Sequence, residues 1–505
     1  MNNIAALKKL VLSLSKEEEA LFFRLNSEKH SNHITDIFSI SKPLKLYSSI
    51  RTNREVSSID LQRELYGKPN YSAFNKLCNR LRERLLDVML LSVNQIPSKN
   101  SKRNLAIMEI KKNLIISDVL SQKGLRDEAE RVINKTLLNV NKFELFDLKV
   151  QALMSKEKLI NLRKSATAIA RNQNEIKDAE RKQKSLHYCQ QIYSALINKI
   201  ANSTSYRRYF NDLENVIEEL EAQLKISQSY QIEFFLNFLK TEKFQIENNF
   251  TAANSSLKRL EQLTSMDVLY SETRRGTIYL NLAGNFIHLR NFRDAEIYAL
   301  KAQRYFPNNM LNRALVAEIQ FYSSMYQDKF HEADEYLKSL LNTPIESSIQ
   351  YRYDRWRFFE SSLLFISKRY NQALSELNRI KEIDKDKEGW NVNKRILAIL
   401  CRIELGDLNS IDTSIVNLEK FIKRIDKLEF LKPRYKIILR ILVKLLNSNM
   451  NYLEVYRSRI KYFELLTGDD VNYKWDLKGP ELIPFHLWFK SKLEGKVISF
   501  HDSIS

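Results

Sequence analysis

The sequence predicts an all-α chain: a right-handed superhelical solenoid of helix-turn-helix units, preceded by a small helical domain. Three observations carry this. A five-residue word recurs as Asn249-Phe250-Thr251-Ala252-Ala253, Asn291-Phe292-Arg293-Asp294-Ala295, Lys329-Phe330-His331-Glu332-Ala333 and Arg369-Tyr370-Asn371-Gln372-Ala373. Its aromatic positions lie 42, 38 and 40 residues apart, a period characteristic of stacked helical repeats. Glycine and proline are scarce, at 9 and 8 among 505 residues, where an average chain has roughly 12% of the two together. Sheet-rich folds need glycine for their tight turns, so helices joined by short turns fit better.

The elements follow in order. Residues 1–95 read as a basic helical domain. Ser15-Lys16-Glu17-Glu18 is a capping box, and the helix behind it carries Leu21, Phe22 and Leu25. Short helices are expected over Ile34–Ser39 and Leu44–Arg51. Ser57-Ser58-Ile59-Asp60 starts a helix that Gly67 and Pro69 end. A long helix is predicted from about Ser72 to Ser92, with Phe74, Leu77, Cys78, Leu81, Leu85 and Val88 as its apolar stripe. Residues 96–103 read as a linker, with Pro97, serines and positive charges. A helical array is expected over 104–470, clearest at 235–390 and weaker where Gly406-Asp407-Leu408 forms a degenerate copy. The polar run Asn172–Lys184 is expected on a long exposed helix. Residues 471–505, with Trp475, Gly479, Pro480, Pro484, Phe485, Leu487, Trp488 and Phe489, are expected to cap the array.

The formal charge is +20 and the pI near 9.5. Residues 1–104 account for +8 of it. A positive field of this size favours polyanions, although an AT-rich codon bias produces the same Lys, Asn and Ile richness without anion binding. Cys78, Cys189 and Cys401 are far apart and offer neither a disulfide framework nor a zinc spacing. No apolar run reaches about 18 residues, the length of a membrane span. No signal peptide is read at the N-terminus. A cytoplasmic location is expected, without membrane contact.

Residues 276–309 resemble the tetratricopeptide repeat (TPR), a helix-turn-helix unit. Ala283, Phe286, Ala295, Ala302 and Pro307 stand where that family places small, aromatic, small, small and proline residues. Small residues let paired helices approach closely. The neighbouring units keep Ala253, Ala333 and Ala373 but carry Leu260, Leu340 and Ile380 at the later small position. The resemblance implies a protein or peptide partner on the inner side of the array. Carried over residue by residue, the family's inner positions fall on Thr277, Leu280, Gly284, Ile287 and His288. In the next two units they fall on Leu315, Glu318, Tyr322, Met325 and Tyr326, then on Arg355, Phe358, Ser362, Phe365 and Ile366. The candidate partner-binding residues are His288, Tyr322, Met325, Tyr326, Arg352, Arg355, Phe358 and Phe365. An aromatic groove for a partner and tight packing within the array are both open readings of this face. In the basic-aromatic stretch from Tyr351 to Phe358, helical spacing assigns Trp356 with Phe359 and Leu363 to a core stripe, and Arg352 and Arg355 are expected to be exposed with Tyr351.

Residues 1–95 also resemble the N-terminal region of repeat proteins from Bacteroidetes. Leu61–Gly67, Pro69–Tyr71 and Phe74–Leu86 are similar to the helix-turn-helix of winged-helix transcription regulators. Lys76, Asn79, Arg80 and Glu83 lie opposite the apolar stripe. Arg and Asn suit base edges, and Lys and Arg suit phosphates. Two readings follow: a DNA-reading helix, or an amphipathic helix with a solvated face. No β-hairpin wing is legible after Leu91.

Phosphate-cradling, serine-elbow and zincin motifs are absent, so neither catalysis nor a cofactor is predicted. His30 and His33 with Glu28 and Asp36 form a weak metal candidate, and His331 is expected to be solvated. The function expected is a non-enzymatic scaffold that binds protein or peptide. The alternative is a DNA-binding transcription regulator with the array as sensor.

Overall fold

The computed structural model describes residues 2–27, 41–53, 56–92, 102–161, 166–202, 207–307, 309–343, 350–382, 386, 389–426 and 432–500. Among these residues are 24 α-helices and no strand. The chain divides into two compact units, Met1–Ala179 and Glu180–Ser505. The candidate metal residues Glu28, His30, His33 and Asp36, the helix expected over 34–39, and linker residues 96–101 lie outside the described residues.

The first unit begins with α1 (Asn2–Ser13), α2 (Lys16–Ser27), α3 (Lys42–Thr52), α4 (Ser58–Tyr66) and α5 (Tyr71–Leu91). The capping box is formed: Ser15 N–H donates to Glu18 Oε2 at 2.8 Å, and Glu18 N–H to Ser15 Oγ at 3.2 Å. Ser57 caps α4, and Gly67 ends it at φ 74°. Helix α5 is the hub on which α1, α2 and α3 pack. Its buried residues are Phe74, Leu77, Cys78, Leu81, Leu85 and Val88, the stripe expected from the 3.6-residue period. A second apolar cluster joins α6 (Lys102–Gln122), α7 (Arg126–Lys142) and α8 (Phe146–Asn161). Lys102 and Arg103, expected in the linker, begin α6. Helix α9 (Ala166–Asn202) runs through the division between units. The polar run 172–184 lies on it, and one stripe is buried at Asn172, Ile176 and Ala179.

The second unit continues with α10 (Arg207–Ser227), α11 (Tyr230–Ile246), α12 (Phe250–Ser265), α13 (Glu272–His288), α14 (Phe292–Gln303), α15 (Met310–Tyr326) and α16 (Phe330–Leu341). Then come α17 (Gln350–Ile366), α18 (Tyr370–Arg379), α19 (Trp390–Leu405), α20 (Leu408–Asp426), α21 (Pro433–Asn447), α22 (Tyr452–Ser458), α23 (Ile460–Thr467) and α24 (Phe485–Glu494). From α10 to α21 each helix packs on the next, and α13 also packs on α15 and α17 on α19. This succession is an all-α solenoid of helix pairs.

One turn recurs between paired helices. Gly124, Glu144, Asn248, Arg290, Asp328, Lys368 and Gly406 all have φ between 50° and 78°. The next N–H returns to a carbonyl five residues back, as in Asn249 to Phe244 at 2.8 Å, Asn291 to Phe286 at 2.9 Å and Lys329 to Ser324 at 2.9 Å. This is the six-to-one bond of a Schellman motif. Glycine suits its left-handed position best, yet only two of these seven turns use it. The recurring word starts directly after the left-handed residue. Asn249 and Asn291 cap the following helix by accepting from the N–H of Ala252 and Asp294. The alanines of the word, Ala253, Ala295, Ala333 and Ala373, are all 0% exposed. Gly276 serves the same close approach, since a Cβ there would stand 2.6 Å from Cζ of Phe306.

Candidate partner-binding site

Helices α13, α15, α17, α19 and α21 carry the expected inner-face residues or their neighbours in the stack. What lies on α13, α15, α19 and α21 is the chain's own segment from about 469 to 500. Its irregular course follows from its composition. Gly479 N–H closes a turn on Asp476 O at 3.1 Å, and Pro484 starts α24. A proline can open a helix but cannot continue one.

The segment is held partly through its backbone. Tyr326 Oη donates to Leu477 O at 2.5 Å and Tyr322 Oη to Lys478 O at 3.4 Å. A Cβ at Gly284 would stand 2.7 Å from Lys478 Nζ, so glycine there makes room for the lysine. His288 Nδ1 lies 3.6 Å from Asp476 Oδ1, and its ring stacks on Phe250 at 4.0 Å. Burial holds this imidazole neutral, with its pKa down to about 4, against the pull of Asp476. Lys432 Nζ stands 3.7 Å from the other Asp476 oxygen.

A buried ion pair is made on α21. The Arg434 side chain is 2% exposed and that of Glu481 7%. Arg434 Nε donates to Glu481 Oε2 at 2.5 Å and one terminal nitrogen to Oε1 at 2.9 Å. That nitrogen also donates to His486 Nδ1 at 3.1 Å, and the other reaches Leu466 O and Tyr473 O. All five guanidinium N–H groups therefore have acceptors, the condition under which a buried arginine is tolerated. Burial, then the Arg434 charge, brings the His486 pKa down to about 4, so its Nδ1 accepts. On α19, Glu404 accepts from Trp488 Nε1 at 2.8 Å and Lys492 Nζ at 2.5 Å.

The eight expected partner residues are thus placed as follows. His288, Tyr322 and Tyr326 touch the segment, and Met325 is 0% exposed in the core beneath it. Arg352 and Arg355 are not on the open surface, which corrects the sequence expectation. Arg352 faces buried Glu318 at 3.8 Å, and the Arg355 guanidinium lies 4.4 Å from the Trp390 ring centre. Glu318 also accepts from Trp356 Nε1 at 2.6 Å. A carboxylate and an aromatic ring on adjacent helices draw in both cations. Phe358 and Phe365 are buried against Trp390 and Tyr370. Sequence reasoning did not single out Glu404, Arg434, Asp476, Glu481 or His486. The signal available was the break in repeat pattern after Thr467, with Gly479, Pro480 and Pro484 among dense aromatics.

In the first unit, Lys76, Asn79, Arg80 and Glu83 are exposed on α5. The same face continues through Leu86 and Leu90, 51% and 64% exposed. Among the described residues, no group of three His, Cys, Asp or Glu is placed to hold a metal, and no helix is long and apolar enough to cross a membrane. All three cysteines are buried, and burial pushes Cys78 up to about 11 and Cys189 and Cys401 to about 12.

No protein-family model matches the chain, and no curated protein matches it. Among solved structures, the crystal structure of the TPR domain of P58(IPK) is 11% identical, with 77% of this chain and 99% of that chain covered and a TM-score of 0.22. The helix pairing described above is what defines the chain as a helical-repeat protein.

Proposed function

We propose that the chain is a non-enzymatic scaffold of a reducing, cytoplasmic compartment, whose TPR-like array holds a segment of a protein partner. One observation supports this most: the array already grips an irregular segment by donating tyrosine hydroxyls to its main-chain carbonyls. Contacts of that kind recognise an extended peptide largely independently of its sequence, with side-chain pockets adding specificity. The test is co-purification with the full chain as bait, then competition by a synthetic peptide of residues 469–500. A stoichiometric partner released by the peptide is expected. A partner retained at saturating peptide would place its binding elsewhere on the chain, and the absence of any stoichiometric partner would remove the scaffold reading.

A second reading, DNA contact by α5, has the exposure of Lys76, Asn79 and Arg80 in its favour. Leu86 and Leu90 extend the same face with apolar surface, which fits a protein better than a phosphate backbone. Titration of the full chain with random duplex at several salt concentrations separates the two. DNA binding requires a steep salt slope that Lys76→Glu with Arg80→Glu abolishes.

A further inference from the structure

Residues 495–500 form a piece distinct from the rest of the bound segment. Helix α24 ends at Gly495 with φ 62°, and Lys496 N–H returns to Ser491 O at 3.1 Å. The chain then leaves the helix as a short extended strap. In its first half Val497 is 64% exposed. Its far end is fixed at one carboxylate: Asp328 Oδ2 accepts from Ser499 Oγ at 2.7 Å, and Oδ1 from Phe500 N–H at 3.1 Å. Phe500 is 0% exposed. Its ring centre lies 5.3 Å from Tyr326 and 6.4 Å from both Phe330 and Trp475.

Asp328 is the left-handed residue of the α15–α16 turn. The socket therefore sits at the α15–α16 turn, with Tyr326, one of the inner positions, forming one wall. The equivalent residues of the neighbouring turns are Asn248, Arg290 and Lys368. Among these positions Asp328 alone offers an anionic acceptor for a main-chain N–H. A cleft of about 380 Å³ adjoins the strap, lined in part by Phe365, Tyr370, Glu404, Trp488 and Ile498. The Arg434–Glu481 pair and the Glu404 contacts with Trp488 and Lys492 are made by residues outside the strap.

We infer that the Asp328–Tyr326–Phe330–Trp475 socket is a peptide-binding site that the strap fills in cis. The partner it fits is an extended peptide presenting a hydroxyl residue followed by phenylalanine, with its backbone N–H on Asp328. This rests on the scaffold reading and specifies the partner's chemistry. Tethering gives the strap a high effective concentration at its own socket, so a partner peptide binds only in competition with it.

The test uses a fluorescent peptide of residues 495–505 with two proteins: the chain lacking residues 495–505, and the full chain carrying Phe500→Ala. Both are expected to bind the peptide at least about 10-fold more tightly than the wild-type chain does. Asp328→Asn in the shortened chain is expected to weaken binding by about 10-fold, the loss of a charge-assisted contact. A peptide carrying Phe500→Ala is expected not to bind. Equal affinity for all proteins, or no binding to either variant while its circular dichroism is native, would overturn the socket. Unfolding of both variants would overturn it too, because the strap must detach without collapse of the array. These outcomes leave partner co-purification unaffected, so the strap proposal and the scaffold reading fail separately.

Discussion

Arg434 and Glu481, 47 residues apart in sequence, form a two-point ion pair beneath the surface of the second unit. It joins α21 of the array to the irregular segment lying on it. Removing one partner strands the other charge in a low-dielectric site, which costs about 3–5 kcal/mol. Arg434→Ala is therefore expected to lower the urea midpoint strongly. Arg434→Met combined with Glu481→Leu is expected to recover part of the loss. A double variant no more stable than Arg434→Ala would show that the pairing is not the source of the effect.

Acid should loosen the same region. His288 and His486 have pKa values near 4 in the fold, against about 6.5 in an unfolded chain. Between those values the unfolded state binds more protons, so stability rises with pH across that window. Their contribution is fully present above about pH 6.5 and is lost as pH falls towards 4. Urea midpoints at about pH 7 and about pH 5 should differ accordingly, and His486→Gln should shrink the difference. A midpoint independent of pH would contradict the buried, neutral state of both rings.

The left-handed turns allow a stabilising substitution. Lys368 has φ 59°, a conformation that costs a residue with a Cβ roughly 1–2 kcal/mol. Glycine relieves that strain but gains entropy in the unfolded chain. Lys368→Gly is expected to raise the unfolding temperature by a small margin, measured by circular dichroism. A lower unfolding temperature would mean that the turn does not carry this strain.

Gly276→Ala is expected to act in the opposite direction. Its Cβ would meet both Phe306 and Tyr305 closer than 3.0 Å, and overpacking of this kind costs about 1–3 kcal/mol. Thermal unfolding of the variant checks it, and an unchanged midpoint would show that the turn after α14 can move aside.

Where one side of a helix is buried and the other wet, the sequence was readable residue by residue. The six buried residues of α5 are the six predicted from period alone. The recurring word was readable because its alanine marks the closest approach of two helices. A further copy, Asn451-Tyr452-Leu453-Glu454-Val455, keeps the cap and the aromatic but buries Val455, 0% exposed, in the alanine position, which removes the mark that makes the word legible. Arg352 and Arg355 were misplaced because helical spacing assigns a face but cannot show that Glu318 and Trp390 wait on adjacent helices. The occupant of the inner side was beyond local pattern altogether. Tyr326 meets Leu477 across 151 residues, and no periodicity links positions so distant.

That distance has a temporal side. Neighbouring helices can pair as soon as they are made, whereas Asp328 must wait 171 residues for Ser499. At about 5–20 residues per second on the ribosome, the wait lasts roughly 10–30 s. During it the nascent array has its aromatic side uncovered, and whatever reaches that side first faces no internal rival. The order of synthesis thus decides how long those helices stay uncovered.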